Sequence, residues 1–231
     1  MNQPILIILH SEASTPGRIG MMLRAKGYTF DIRRPCLGEA LPTGMTAHAG
    51  AAIFGGPMSA NDRDEWIARE TDWIGVPLAA KKPFLGVCLG AQMLSMRLGG
   101  KVTPHSEGKV EIGYYPIEPT EAGVELGPWP RHVYQWHRES FTLPSDCQLI
   151  ASGDTFENQA YRYGSAAYGI QFHPEVTRLT MHRWTVLGAH RFVMPGAQPA
   201  SAHLAGNLVH DDSVKHWLDH FLDVWLQSGK E

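Results

Sequence analysis

The 231-residue sequence predicts a three-layer α/β domain with a mainly parallel central sheet and additional antiparallel strands. Three observations lead there. Short apolar runs recur at residues 5–9, 51–54 and 83–87, as strands buried on both faces require. Segments with helical spacing separate them, and strand–helix alternation is the pattern of a parallel sheet covered on both sides. After about residue 110 strand-like stretches follow one another between turn residues, so this part is expected to be partly antiparallel.

Taken in order, residues 5–9 give the first strand, and Pro16 opens a helix that Gly27 stops. Residues 28–33 give the second strand, and 51–54 the third, halted by Gly55, Gly56 and Pro57. Residues 63–81 have helical spacing, with Trp66, Ile67, Trp73 and Ile74 on the buried face. The strand at 83–87 leads into a helix at 89–98, closed by Gly99 and Gly100. Five strand-like stretches follow, at 110–117, 132–136, 148–151, 159–163 and 167–172. Helices at 178–192 and 213–227 close the chain, around a loop rich in Pro, Gly, Ala and Ser at 195–206. A single domain is expected, with a core over about 5–187 and a helical extension over about 188–231.

Composition narrows the function classes. Hydrophobic residues make up 43% and charged residues 19%, as in a compact folded chain. A formal net charge of -3 offers no basic excess for a phosphate backbone, so nucleic acid is not an expected partner. The first apolar run is too short for a membrane span or a signal peptide core, and a cytoplasmic protein is expected. Three cysteines, Cys36, Cys88 and Cys147, form no disulfide framework. No Walker loop or G-x-G-x-x-G fingerprint is present, and no cofactor is expected. His216 and His220 have a spacing that can chelate, but no Glu accompanies them as in a metalloprotease helix, so no metal is expected.

Cys88 lies in Gly86-Val87-Cys88-Leu89-Gly90-Ala91-Gln92, between an apolar strand and a helix. A nucleophile elbow has this layout. Gly86 and Gly90 leave room where strand and helix pass closely. The unpaired N–H groups at the helix start favour negative charge on the sulfur, and the thiolate is the reactive form. Downstream, Gln171-Phe172-His173-Pro174-Glu175 ends a strand. Residues two apart in extended chain point the same way, so His173 and Glu175 can face one site. A carboxylate beside an imidazole fixes its tautomer and steadies the imidazolium. The Gly55-Gly56-Pro57 loop can offer the Gly56 N–H to an oxyanion, with Leu89 N–H as the second donor; Pro57 has none to give.

Together these segments resemble the class I glutamine amidotransferases. The pattern Gly-x-Cys-x-Gly-x-Gln is met by Gly86, Cys88, Gly90 and Gln92, His-x-Glu by His173 and Glu175, and the Gly-Gly-Pro loop by residues 55–57. The segment from Gln135 to Pro144 is similar to the substrate-lining strand of stand-alone relatives of the GMP synthetase amidotransferase domain. Those relatives carry Trp-His-x-Asp where this chain has Trp136, His137 and Glu139. The resemblance implies that Gln92, His137 and Glu139 line a glutamyl pocket. It also implies attack on the glutamine side-chain amide, a γ-glutamyl thioester, and ammonia passed to a separate synthetase or acceptor protein. Hydrolysis of another γ-glutamyl compound and a silent regulatory role are the alternatives.

Overall fold

The computed structural model describes residues 2–229. The elements run β1 (Ile5–Ile8), α1 (Gly17–Ala25), β2 (Phe30–Arg33), β3 (Gly50–Ile53), α2 (Glu65–Trp73), α3 (Gly75–Ala79), β4 (Phe84–Val87), α4 (Leu89–Arg97) and β5 (Val102–Pro104). They continue with β6 (Glu111–Pro116), β7 (Glu118–Pro119), α5 (Glu121–Val124), β8 (His132–His137), β9 (Glu139–Phe141), β10 (Cys147–Ser152), β11 (Asn158–Tyr163), β12 (Ala167–Ile170), α6 (Arg178–Leu187) and α7 (Ala200–Gln227).

The main sheet has the order β2-β1-β3-β4-β12-β11-β10-β7. Its first five strands pair in parallel and its last three antiparallel, as the change of pattern in the sequence predicts. Two small antiparallel ladders, β5–β9 and β6–β8, stand beside it. Alternate residues of β1 serve the two faces. Ile5 and Ile7 pack in one core with Ile19 of α1 and Trp217 of α7; Leu6 and Ile8 pack in the other with Ile67 of α2 and Leu94 of α4. This gives the three layers.

The C-terminal region departs from expectation. Residues 195–206 read as loop, yet α7 begins at Ala200 and continues for 28 residues. Its first half buries His203 and Asn207, whose polar groups hide the helical period of burial. Gly206 lies inside this helix because α7 crosses Tyr114 closely: a Cβ there would sit 2.4 Å from the Tyr114 ring. Trp217, Phe221 and Trp225 are fully buried in the same core as β1 and β4, so α7 is part of a helix layer. Two shorter differences have local causes. Pro77 lies in the second of two pieces, α2 and α3, into which residues 63–81 divide. The helix at 178–192 ends at Leu187, and a 3-10 turn at Ala189–Arg191 follows.

Strands β3, β4 and β12 are neighbours and parallel, so their C-terminal ends open at one edge. Residues following these strands share that edge, where open α/β sheets place their sites. Among the described residues no helix is long and apolar enough to cross a membrane.

Candidate active site

Cys88 follows β4 directly and has φ 50° and ψ −103°. Among the described residues, Lys81 is the other non-glycine with positive φ. Such backbone is costly and persists where its surroundings enforce it. Here the Cys88 N–H donates to the Ile170 carbonyl (2.8 Å), and α4 starts at the next residue. Helix and strand are in contact: a Cβ on Gly90 would lie 2.2 Å from the Ile53 carbonyl oxygen. The strand–turn–helix reading of this segment is met. Leu89 opens α4, so its N–H has no intrahelical acceptor.

His173 and Glu175 follow β12, the parallel neighbour of β4. The His173 Nδ1–H donates to Glu175 Oε1 at 2.8 Å, and both residues are buried. Nε2 is buried without a hydrogen-bond partner. Burial disfavours the charged ring, but Glu175 and the Cys88 sulfur outweigh it and push His173 up to about 10. The two other thiols are disfavoured as thiolates: burial, with Asp146 adding, pushes Cys147 up to about 12, and burial also raises Cys36.

The glycine loop follows β3. Gly55 packs under the His173 ring, where a Cβ would meet Cε1 at 2.8 Å. Its carbonyl accepts from His10 Nδ1 (3.1 Å), while His10 Nε2 bonds Glu70 Oε1 (2.9 Å). The peptide is trans, so the Gly56 N–H points away from His10. Neither His10 nor Glu70 stood out as a site residue in the sequence. A signal was present for Glu70, which falls on the buried stripe of α2 with Ile67 and Trp73.

Gln92, His137 and Glu139 come together in a chain of hydrogen bonds. His137 Nε2 bonds Glu111 Oε2 (2.9 Å), and His137 Nδ1 bonds the Glu139 carbonyl (3.0 Å). The ring thus bridges a buried carboxyl group and a backbone carbonyl. The Glu139 carbonyl also accepts from Gln92 Nε2 (2.8 Å), and the same Nε2 reaches Gln171 Oε1 (3.3 Å). With its oxygen so engaged, Gln171 turns Nε2 to the Cys88 sulfur at 3.6 Å. Beyond Glu111, Gln159 and Gln135 extend the network at 2.9 and 2.6 Å. Gln92 Nε2 and both ring nitrogens of His137 are therefore engaged within the protein. Glu139 is half-buried and contributes its backbone carbonyl. Gln171 was missed as a contact of the sulfur, although it stands two residues before His173.

A cavity of about 620 Å³ opens on the other side, lined by Gly55, Gly56, His173 and Glu175 together with Trp136, Trp184, Arg183 and Arg191. Trp136 packs edge-on against Trp184, with ring centroids 5.7 Å apart, so it serves both packing and cavity wall.

A strained cysteine between a strand and a helix, with a His–Glu pair following the adjacent parallel strand, places three candidate site residues at one edge of an open α/β sheet. More narrowly, residues 9–186 match the family model "Glutamine amidotransferase class-I", and the chain belongs to that family. It is 30% identical over 181 residues to the glutamine amidotransferase-like protein YfeJ of Salmonella typhimurium, covering 74% of each. It is 34% identical over 166 residues to the glutamine-hydrolyzing GMP synthase of Yersinia enterocolitica, covering 65% of this chain and 28% of the synthase. The crystal structure of a glutamine amidotransferase from Methylobacillus flagellatus superposes with a TM-score of 0.92 at 28% identity, covering 99% of this chain and 96% of that one.

Proposed function

We propose that this protein is a cysteine amidohydrolase that cleaves the side-chain amide of glutamine or of another γ-glutamyl compound. The observation that carries this reading is the alignment of Cys88, His173 and Glu175 at neighbouring strand ends, with His173 Nε2 left without a partner. The raised His173 keeps its imidazolium at neutral pH, so the proton for the leaving group is already in place. The Gln171 amide faces the sulfur as a donor and supports its negative charge.

Cys88 Sγ attacks the γ-carbonyl carbon. The N–H groups of Gly56 and Leu89 hold the oxyanion, the first turned outward by His10 holding the Gly55 carbonyl. His173 then gives its proton to the departing nitrogen, and a γ-glutamyl thioester remains. Water loses a proton to His173, forms the new C–O bond and expels the thiolate, releasing glutamate. Gln92 and Glu139 bound the glutamyl side of the site in this reading, and His137 fixes the carbonyl that holds Gln92. Released ammonia would pass to a separate acceptor enzyme.

Glutamate release from glutamine by the purified chain tests this, with Cys88→Ala and His173→Ala as controls. Release that disappears in both variants is expected. No release, and no γ-glutamyl adduct on Cys88 from any γ-glutamyl compound, would sink the catalytic reading and leave a binding or regulatory homologue.

A further inference from the structure

The cavity beside His173 is far larger than ammonia needs. Its volume of about 620 Å³ falls in the range of pockets that hold whole drug-sized ligands, about 300–1,000 Å³. Its position says which part of a substrate it receives. His173, which hands a proton to the departing nitrogen, lines it, and so does the glycine loop. Cys88 itself is not on the wall, so the cavity adjoins the reacting carbon on the His173 side, the side by which the leaving group departs.

Its charge says what that leaving group carries. Arg183, His190 and Arg191 line the cavity, and among the described residues their side chains make no hydrogen bond or ion pair. Glu175 is the one acidic residue on the wall, and it is engaged by His173. Its second oxygen is buried without a partner, but the carboxylate is the one that holds His173, so the wall offers an α-ammonium group no carboxylate apart from that pair. Arg191 is held below the ordinary guanidinium value by burial and by Arg138 nearby, the mark of positive charge without compensation. The half-buried Arg191 guanidinium matches a carboxylate, and the exposed Arg183 adds positive charge at the hydrated mouth. Trp136 and Trp184 supply an apolar wall for the carbon skeleton between the scissile nitrogen and that carboxylate.

We propose that this cavity is a leaving-group subsite for a carboxylate-bearing amine, and that the preferred substrates are γ-glutamyl amides of amino acids or similar acid-bearing amines. The inference rests on the amidohydrolase reading above. The Cys88–carbonyl C–S bond forms, the C–N bond breaks, and the His173 proton goes to the nitrogen of the released amino acid. Water then cleaves the thioester to glutamate.

The test compares kcat/KM for γ-glutamylglycine, whose leaving amine carries a carboxylate, with that for γ-glutamylethylamide, whose leaving amine carries none. Glutamine is a third arm. The wild-type ratio of the first two should favour the acid by on the order of 10- to 100-fold, the effect of a charge-assisted hydrogen bond. In the Arg183→Gln/Arg191→Gln double variant that ratio should fall towards one, with Arg191→Lys retaining part of it. Taking a ratio cancels any general loss of folded enzyme. A wild-type ratio near one while glutamine is turned over overturns this inference alone. So does an equal loss on all three compounds in the double variant, which would put the arginines on the α-carboxylate. Failure of all three compounds to react or to acylate Cys88 overturns the amidohydrolase reading, and this inference falls with it.

Discussion

Cys88 stands between two walls of opposite character. Behind it runs a closed polar wall, from Glu111 through His137, the Glu139 carbonyl, Gln92 and Gln171 to the sulfur, each link at hydrogen-bond distance or close to it. On the far side, beside His173 and the glycine loop, lies the open cavity, which Cys88 itself does not line and whose arginines have no partner among the described residues. The difference follows from solvent. A buried polar group without a partner costs more than the bond itself is worth, so the inner wall must satisfy itself internally. A charge at an open mouth stays hydrated at little cost and remains free to meet a ligand. In the proposed mechanism the inner wall is structure that fixes Cys88, and the outer wall is recognition.

One device appears twice around the site, once in the inner wall and once behind the glycine loop. Glu111–His137 holds the Glu139 carbonyl, and Glu70–His10 holds the Gly55 carbonyl. In each pair the carboxylate orients a ring whose other nitrogen pins a backbone oxygen of the site. Two carbonyls on opposite sides of Cys88 are thereby fixed, and with them the amide of Gln92 and the peptide of Gly56.

Substitutions can break or sharpen this contrast. The largest effect is expected at the reacting groups between the walls: His173→Ala should lower kcat by about 10²–10⁴-fold, with unchanged circular dichroism. Next comes the inner wall. Glu111→Leu leaves the His137 ring buried without its carboxylate and should destabilise the fold by about 3–5 kcal/mol in urea titration. Gln171→Leu removes the donor on the sulfur; iodoacetamide alkylation of Cys88 at neutral pH should slow by on the order of tenfold or more. The pH profile is the next discriminator. Because His173 is raised from 6.5 to about 10, its imidazolium persists through neutral pH and is lost as pH rises through about 10. Activity should fall along that alkaline limb, and Glu175→Gln should move the limb to lower pH. The stability contributed by the charged ring follows the same sign: complete below 6.5, lost on rising through about 10. The smallest effect belongs to the mouth: Arg183→Gln should change stability by less than about 0.5 kcal/mol. If Glu111→Leu were equally mild, the division into a structural wall and a recognition wall would fail.

The sequence by itself determined the elbow at Cys88, the extended His173–Glu175 pair and the change from parallel to antiparallel strands. These are local matters: a strand followed by a helix, two residues on one side of an extended chain, the spacing of apolar runs. Glu175 is two residues from His173, so their 2.8 Å contact needs little beyond backbone direction. Partners far apart in the chain were not legible. Glu111 lies 26 residues from His137, Glu70 lies 60 from His10, and Gln171 lies 83 from Cys88. The early half of α7 was hidden for a related reason, since its buried face includes His203 and Asn207, which bond or reach Tyr134 and Tyr114. Apolar burial follows a period that can be read along one chain. Which buried donor meets which acceptor is settled only when the layers close and water leaves, and that is why tertiary structure alone decided what holds Cys88 in place.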